Sequence, residues 1–134
     1  MDMNQVVTGL DGLLGVELAE ASADRVHLRV PVTSALHQMF GIVHGGLYCT
    51  LVESAASVGA ALWLGAEGRV VGVANQTDFF KAVRDGELHA VSTPVHRGFS
   101  QQLWQVNITD GNDQLIARGQ VRLQNLRPDG GRPR

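Results

Sequence analysis

One charged side chain interrupts the apolar middle of this sequence. From Val30 through Ala66, leaving histidine aside, only Glu53 carries a formal charge at neutral pH, and it lies inside the apolar run from Leu47 to Leu64. Burying an unpaired carboxylate costs several kcal/mol, so the group must be paired, neutral or facing a polar cavity. Its neighbours at helical spacing are Cys49, Thr50 and Ser57, and no Lys or Arg stands there to neutralise it. A counter-group must come from elsewhere in the fold or from a second subunit. Two readings follow. Glu53 lies on a narrow solvated stripe with Thr50, Ser54 and Ser57, or it is held in a cleft as a general base or nucleophile.

The second feature is His44-Gly45-Gly46 at the start of the same run. First-turn N–H groups of a helix lack intrahelical acceptors and carry the positive end of its dipole. With glycines there, a ligand can approach the backbone, and the N–H groups can receive an oxygen that gains negative charge. A plain entry turn with a capping or core histidine would use the same residues. Gly45 and Glu53 are separated by roughly 12 Å of helical rise. That is too far for both to act on one carbonyl within one chain, so joint action requires Glu53 of a partner subunit.

The elements that must position these residues are one helix and several strands. His44 to about Leu64 is small and apolar around nearly its whole circumference, as expected of a helix buried on most sides. Period-two alternation marks strands at Asp24–Val30, Val70–Phe80, Leu88–Val95, Leu103–Thr109 and Leu115–Leu123. In the last, Leu115, Ala117, Gly119, Val121 and Leu123 are expected on one face, and Ile116, Arg118, Gln120 and Arg122 on the other. Asp85-Gly86 and Asp110-Gly111-Asn112-Asp113 carry hairpin turn signals, and a short helix is expected near Asn4–Leu10. The order predicts an α+β fold, with one long central helix wrapped by a curved antiparallel sheet.

The chain of 134 residues suits one domain over 1–134, with a frayed Gly/Pro-rich tail at about 128–134. Net charge of -2 implies no general nucleic-acid surface. The single cysteine, Cys49, excludes an intrachain disulfide framework and a Cys-based metal motif. The start lacks the basic region of a signal peptide, and Glu53 with its polar neighbours argues against a membrane span. The expectation is a cytoplasmic protein without membrane, nucleic-acid or metal partners.

The stretch Gln38-Met39-Phe40-Gly41-Ile42-Val43-His44-Gly45-Gly46, with Glu53 and Ser57 following, resembles the hot-dog-fold acyl-CoA thioesterases. The likeness is to the branch holding the phenylacetate-pathway, Arthrobacter-type 4-hydroxybenzoyl-CoA and 1,4-dihydroxy-2-naphthoyl-CoA thioesterases. Val71–Phe80 and His96–Ser100 extend it, and it covers about Gly12 to Leu126. Some relatives carry aspartate where Glu53 stands, so that position separates branches. The resemblance implies that Glu53 attacks the thioester or activates water, and that the Gly45 N–H polarises the carbonyl. It implies that Gln38 and His44 orient the carbonyl region, and that Ser57 places the water or acyl group. It also implies a homodimer sharing its sites, further paired into a homotetramer, with no cofactor beyond the CoA of the substrate. Met39, Phe40, Gly46, Asn75 and Thr77 would line the acyl site. Lys81, Arg97, Ser100 and Arg127 would contact CoA phosphates, or be ordinary surface charge. An aromatic acyl group is favoured. The competing readings are a non-catalytic acyl-CoA-binding module, a hot-dog dehydratase or hydratase, and a housekeeping thioesterase of broad specificity.

Overall fold

The computed structural model describes residues 7–128. Its elements run α1 (Gly9–Leu13), β1 (Glu17–Ala21), β2 (Val26–Pro31), α2 (Gly45–Leu64), β3 (Arg69–Phe79), β4 (Glu87–Arg97), β5 (Gln101–Thr109) and β6 (Leu115–Leu126), with 3-10 turns at Ser34–Leu36 and Gly65–Glu67. The six strands form one antiparallel sheet in the order β1-β2-β4-β5-β6-β3, and α2 packs against β2 through β6. The expected helix-and-sheet architecture is present.

α2 begins where the His44 ring accepts from the Gly46 N–H, and it ends at Gly65, whose φ of 62° lies in a region that few other residues adopt. Its inward side chains Leu51, Val52, Ala55, Ala56 and Ala60 are fully buried against the sheet. By length and composition Gly45–Glu67 could cross a membrane; in this fold the sheet wraps it. Small residues allow the sheet to come close, and the Trp104 ring lies directly over Gly59.

β2, β5 and most of β6 alternate as their sequences predict, with Val26, Leu28, Val30, Trp104, Val106, Ile108, Val121 and Leu123 inward. Three expectations change. Leu115 is exposed and Ile116 is buried, because the β5–β6 register shifts between Ile108 and Thr109 and inverts the facing at the start of β6. Asp85-Gly86 is not a hairpin turn: β3 pairs with β6 and β4 pairs with β2 and β5, so the residues between β3 and β4 cross from one part of the sheet to another. Gly86 instead offers its carbonyl to the Val32 N–H (2.8 Å). The early helix is Gly9–Leu13, later than expected; Asn4 to Val6, like the tail from Asp129, lie outside the described residues. Asp110–Asp113 does join two paired strands, β5 and β6, with the Asp110 carboxylate accepting from the N–H groups of Asn112 (2.9 Å) and Gln114 (3.0 Å).

Candidate functional site

Glu53 lies in the third turn of α2, half-buried, facing β3. Its partners are neutral. The Asn75 amide donates to Oε1 (3.2 Å) and the Ser57 hydroxyl donates to Oε2 (3.3 Å). Asn75 also donates to the Cys49 carbonyl (3.0 Å) and accepts from the Thr77 hydroxyl (2.8 Å). Thr77, Asn75, Glu53 and Ser57 thus form one chain of hydrogen bonds from β3 into α2. Opposite the carboxylate stands Gly72, where a side-chain Cβ would overlap Oε2 of Glu53. This glycine sits at the register shift of β3, between Gly72 and Ala74. The bare backbone is what lets the carboxylate rest there.

A cavity of about 340 Å3 opens beside Glu53, walled by Cys49 and Ser54 of α2, Asn75 of β3, and Leu10 and Asp11 of α1. The Ser54 hydroxyl donates to Asp11 Oδ1 (2.8 Å), and burial pushes the Asp11 carboxyl above its ordinary value.

The helix entrance is a second centre. His44 Nδ1 accepts from the Gly46 N–H (2.7 Å), and the His44 carbonyl accepts from the Leu47 N–H (2.9 Å). With Nδ1 occupied as acceptor, a neutral His44 ring carries its proton on Nε2. The Phe79 ring covers Gly45, and a Cβ at residue 45 would stand 2.5 Å from it. Tyr48 packs on the same ring (centroids 5.5 Å apart). Burial pushes its hydroxyl up to about 12, so it stays neutral. A carboxylate and a first-turn N–H group are the two components that acyl transfer needs, a base or nucleophile and an oxyanion donor.

The other expected residues fall into three places. Gln38, Met39 and Phe40 form a tight loop before α2, in which the Gln38 side chain accepts from the Phe40 N–H. Met39 and Phe40 project outward, 87% and 76% exposed, away from the Glu53 cavity of their own chain. Arg97, Ser100 and Arg127 gather at one end of the sheet. There Arg97 donates to the Ala23 carbonyl (2.8 Å) and Asp24 (2.9 Å), Ser100 accepts from the Asn125 N–H (2.9 Å), and Arg127 stacks on Phe99. Lys81 lies beside the start of β6, bonded to Gln114. It is separated from that group by the length of β6, roughly 35 Å at ~3.4 Å per residue. One chain therefore does not bring Lys81 to the other three. Among the described residues no cluster of three His, Cys, Asp or Glu side chains could hold a metal ion.

Sequence reasoning missed three members of the Glu53 environment: Gly72, Asp11 and Ser54 as the partner of Asp11. Asn75 was assigned to the acyl pocket, and its bond to Glu53 depends on a pairing 22 residues away.

A family model described as thioesterase superfamily matches residues 40–117. An esterase candidate of Mycobacterium tuberculosis, Rv1847, is 46% identical over 124 residues, covering 90% of this chain and 89% of that one. The 1,4-dihydroxy-2-naphthoyl-CoA hydrolase of Escherichia coli is 33% identical over 110 residues, covering 82% and 81%. Among solved structures, a thioesterase of Haemophilus influenzae superposes with a TM-score of 0.89 at 28% identity, covering 94% of this chain and 89% of that one. This fold, the family model and these relatives agree: the chain belongs to the thioesterase superfamily and is a thioester hydrolase of the hot-dog fold.

Proposed function

We propose that this enzyme hydrolyses acyl-CoA thioesters with aromatic acyl groups, using Glu53 as the reacting carboxylate. The observation that carries the reading is the setting of Glu53: half-buried at a cavity, held by two neutral donors and pressed against the bare backbone of Gly72. A carboxylate so placed retains acceptor capacity for a substrate or a water. The aromatic preference draws on the named activity of the Escherichia coli relative.

The chemistry has two routes. Glu53 attacks the thioester carbon, CoA leaves as thiolate, and water hydrolyses the mixed anhydride. Alternatively, Glu53 takes a proton from a water that attacks directly, with Ser57 holding that water. In both, the carbonyl oxygen becomes negative and is received by a Gly45 N–H, with Gln38 and His44 orienting the carbonyl region. Because Gly45 and Glu53 are about 12 Å apart along one helix, the N–H comes from a second copy of the chain. β3 supports such a pairing: it is an edge strand of 11 residues, with exposed Val71, Val73 and Phe79. The protruding Met39 and Phe40 would then line the site of the partner.

Glu53→Gln keeps the size and loses the charge. Thiol release from hydroxybenzoyl, phenylacetyl, dihydroxynaphthoyl, short-chain and long-chain CoA thioesters is expected to fall on the order of 100-fold or more in this variant. Aryl thioesters are expected to be the best wild-type substrates. Wild-type rates in the variant would remove Glu53 from the reaction.

A further inference from the structure

The cavity beside Glu53 contains a second carboxylate, Asp11, to which the reaction gives no role. It arrives on α1, a helix of five residues that buries none of them in the core. The helix instead places Leu10 and Asp11 on the wall of the cavity, facing Cys49 and Asn75. Asp11 is held in place at two points. Its Oδ1 accepts from the Ser54 hydroxyl (2.8 Å), and its carbonyl accepts from the Val16 N–H (3.0 Å). An ionised carboxylate has about four acceptor sites, and Ser54 takes one of them.

We propose that Asp11 sets the acyl specificity of this cavity by accepting a hydrogen bond from a hydroxyl or amino group on the acyl moiety. The pocket then selects neutral acyl groups that carry a donor over unsubstituted and anionic ones. The proposal rests on Glu53 being the reacting carboxylate, because one cavity holds both groups. When the thioester carbon is at Glu53, the remainder of the acyl group extends past Cys49 and Leu10 toward Asp11. Burial already disfavours the charged form of Asp11. An unsubstituted acyl group packed against Asp11 leaves every acceptor site but the one filled by Ser54 without a donor, whereas a hydroxyl supplies one. An anionic substituent meets two like charges, Asp11 and Glu53, in the same small space. A site built around such a bond rejects the analogue lacking the donor more strongly than an apolar pocket rejects a missing methylene.

The test compares kcat/KM for benzoyl-, 4-hydroxybenzoyl- and 4-carboxybenzoyl-CoA, and for butyryl- and 4-hydroxybutyryl-CoA. The proteins are the wild type, Asp11→Asn, Asp11→Leu and Glu53→Gln. The expected result is a hydroxyl preference in the wild type that falls about 10- to 100-fold in Asp11→Leu. In the isosteric Asp11→Asn, 4-carboxybenzoyl-CoA should gain about tenfold relative to benzoyl-CoA as one of the two like charges is removed. Substrate ratios unchanged in both Asp11 variants would overturn the proposal. If Asp11→Leu does not fold, the two ratios in Asp11→Asn decide. The failures are separable. Full activity in Glu53→Gln removes the catalytic reading, and silence on all aryl thioesters removes the aromatic one. In both cases the butyryl pair still reads whether Asp11 senses the hydroxyl.

Discussion

Two polar groups of sites face α2, one on each side of its middle, and they are built differently. Toward its C-terminal half, the Gln102 amide donates to the Ala60 carbonyl (3.2 Å) and to Asn125 Oδ1 (2.9 Å), while its oxygen accepts from the Trp104 indole (2.8 Å). Asn125 in turn donates to the carbonyls of Gly98 and Phe99 (both 3.0 Å), and Ser92 donates to the Ala55 carbonyl (2.8 Å). All of these side chains are buried. Every donor has an acceptor of this chain, and the network ties the β4–β5 turn to the core. Toward the N-terminal half, Glu53 receives two bonds, of 3.2 and 3.3 Å, and opens on a cavity. The contrast teaches how to tell a structural polar group from a working one: the first is satisfied by its own fold, and the second keeps capacity for something that comes and goes.

The comparison can be broken in several ways, with the largest effect expected from subunit mixing. Glu53→Gln and Gly45→Val should each be nearly inactive alone. Mixed after subunit exchange, they should regain hydrolysis, because under the proposed sharing of sites a mixed dimer holds one intact site made of Gly45 from one chain and Glu53 from the other. No recovery, with exchange verified by mass, would place both groups in one chain. Next comes Gly72→Ala, whose Cβ would overlap the Glu53 carboxylate. If Glu53 reacts as proposed, displacing its carboxylate should lower kcat about tenfold or more while KM changes less; an unchanged kcat would mean that Glu53 tolerates another position. Gln102→Leu should show the opposite signature. It orphans the Trp104 indole N–H and the Asn125 Oδ1, costing about 2–4 kcal/mol in denaturant unfolding. The folded fraction should keep its kcat, and a selective loss of kcat would join the network to the site.

The smallest effect should come from the outer face of the sheet, where the His27 and His89 rings meet at 2.9 Å. Burial, then His89, hold the His27 ring below its ordinary value of 6.5. The folded state therefore prefers neutral His27. The stability this contributes is whole above pH 6.5 and drains as pH falls through the folded value. A modest fall in Tm between pH 7 and 5 should flatten in His27→Gln; an identical fall in the variant would assign it elsewhere.

Much of this was legible in the residues. The helix could be read because it runs from Gly45 to Leu64 without a proline, and Glu53 stood out because it is the one formally charged side chain from Val30 through Ala66, histidine aside. β5 could be read because from Trp104 to Thr109 its inward residues are apolar and its outward residues polar. What escaped depended on partners distant in sequence. β1 is only five residues long and buries none of them fully, so it left no alternation to detect. The inversion at Leu115 and Ile116 comes from a register shift set by β5. Gly72 reads as an ordinary strand glycine until the fold places a carboxylate against it.

α1 has a consequence for how such an enzyme diversifies. The helix contributes no side chain to the core, so Leu10, Asp11 and Leu13 can be exchanged without threatening the fold, whereas Gly9, with a φ of 60°, and Gly12, against the Val7 carbonyl, are held to glycine. Gly72 and Asn75, which hold the Glu53 carboxylate, have no such freedom either. Variation can accumulate in the α1 wall of the cavity while the setting of Glu53 stays fixed. Descendants of one ancestor could then share the same chemistry and differ in diet.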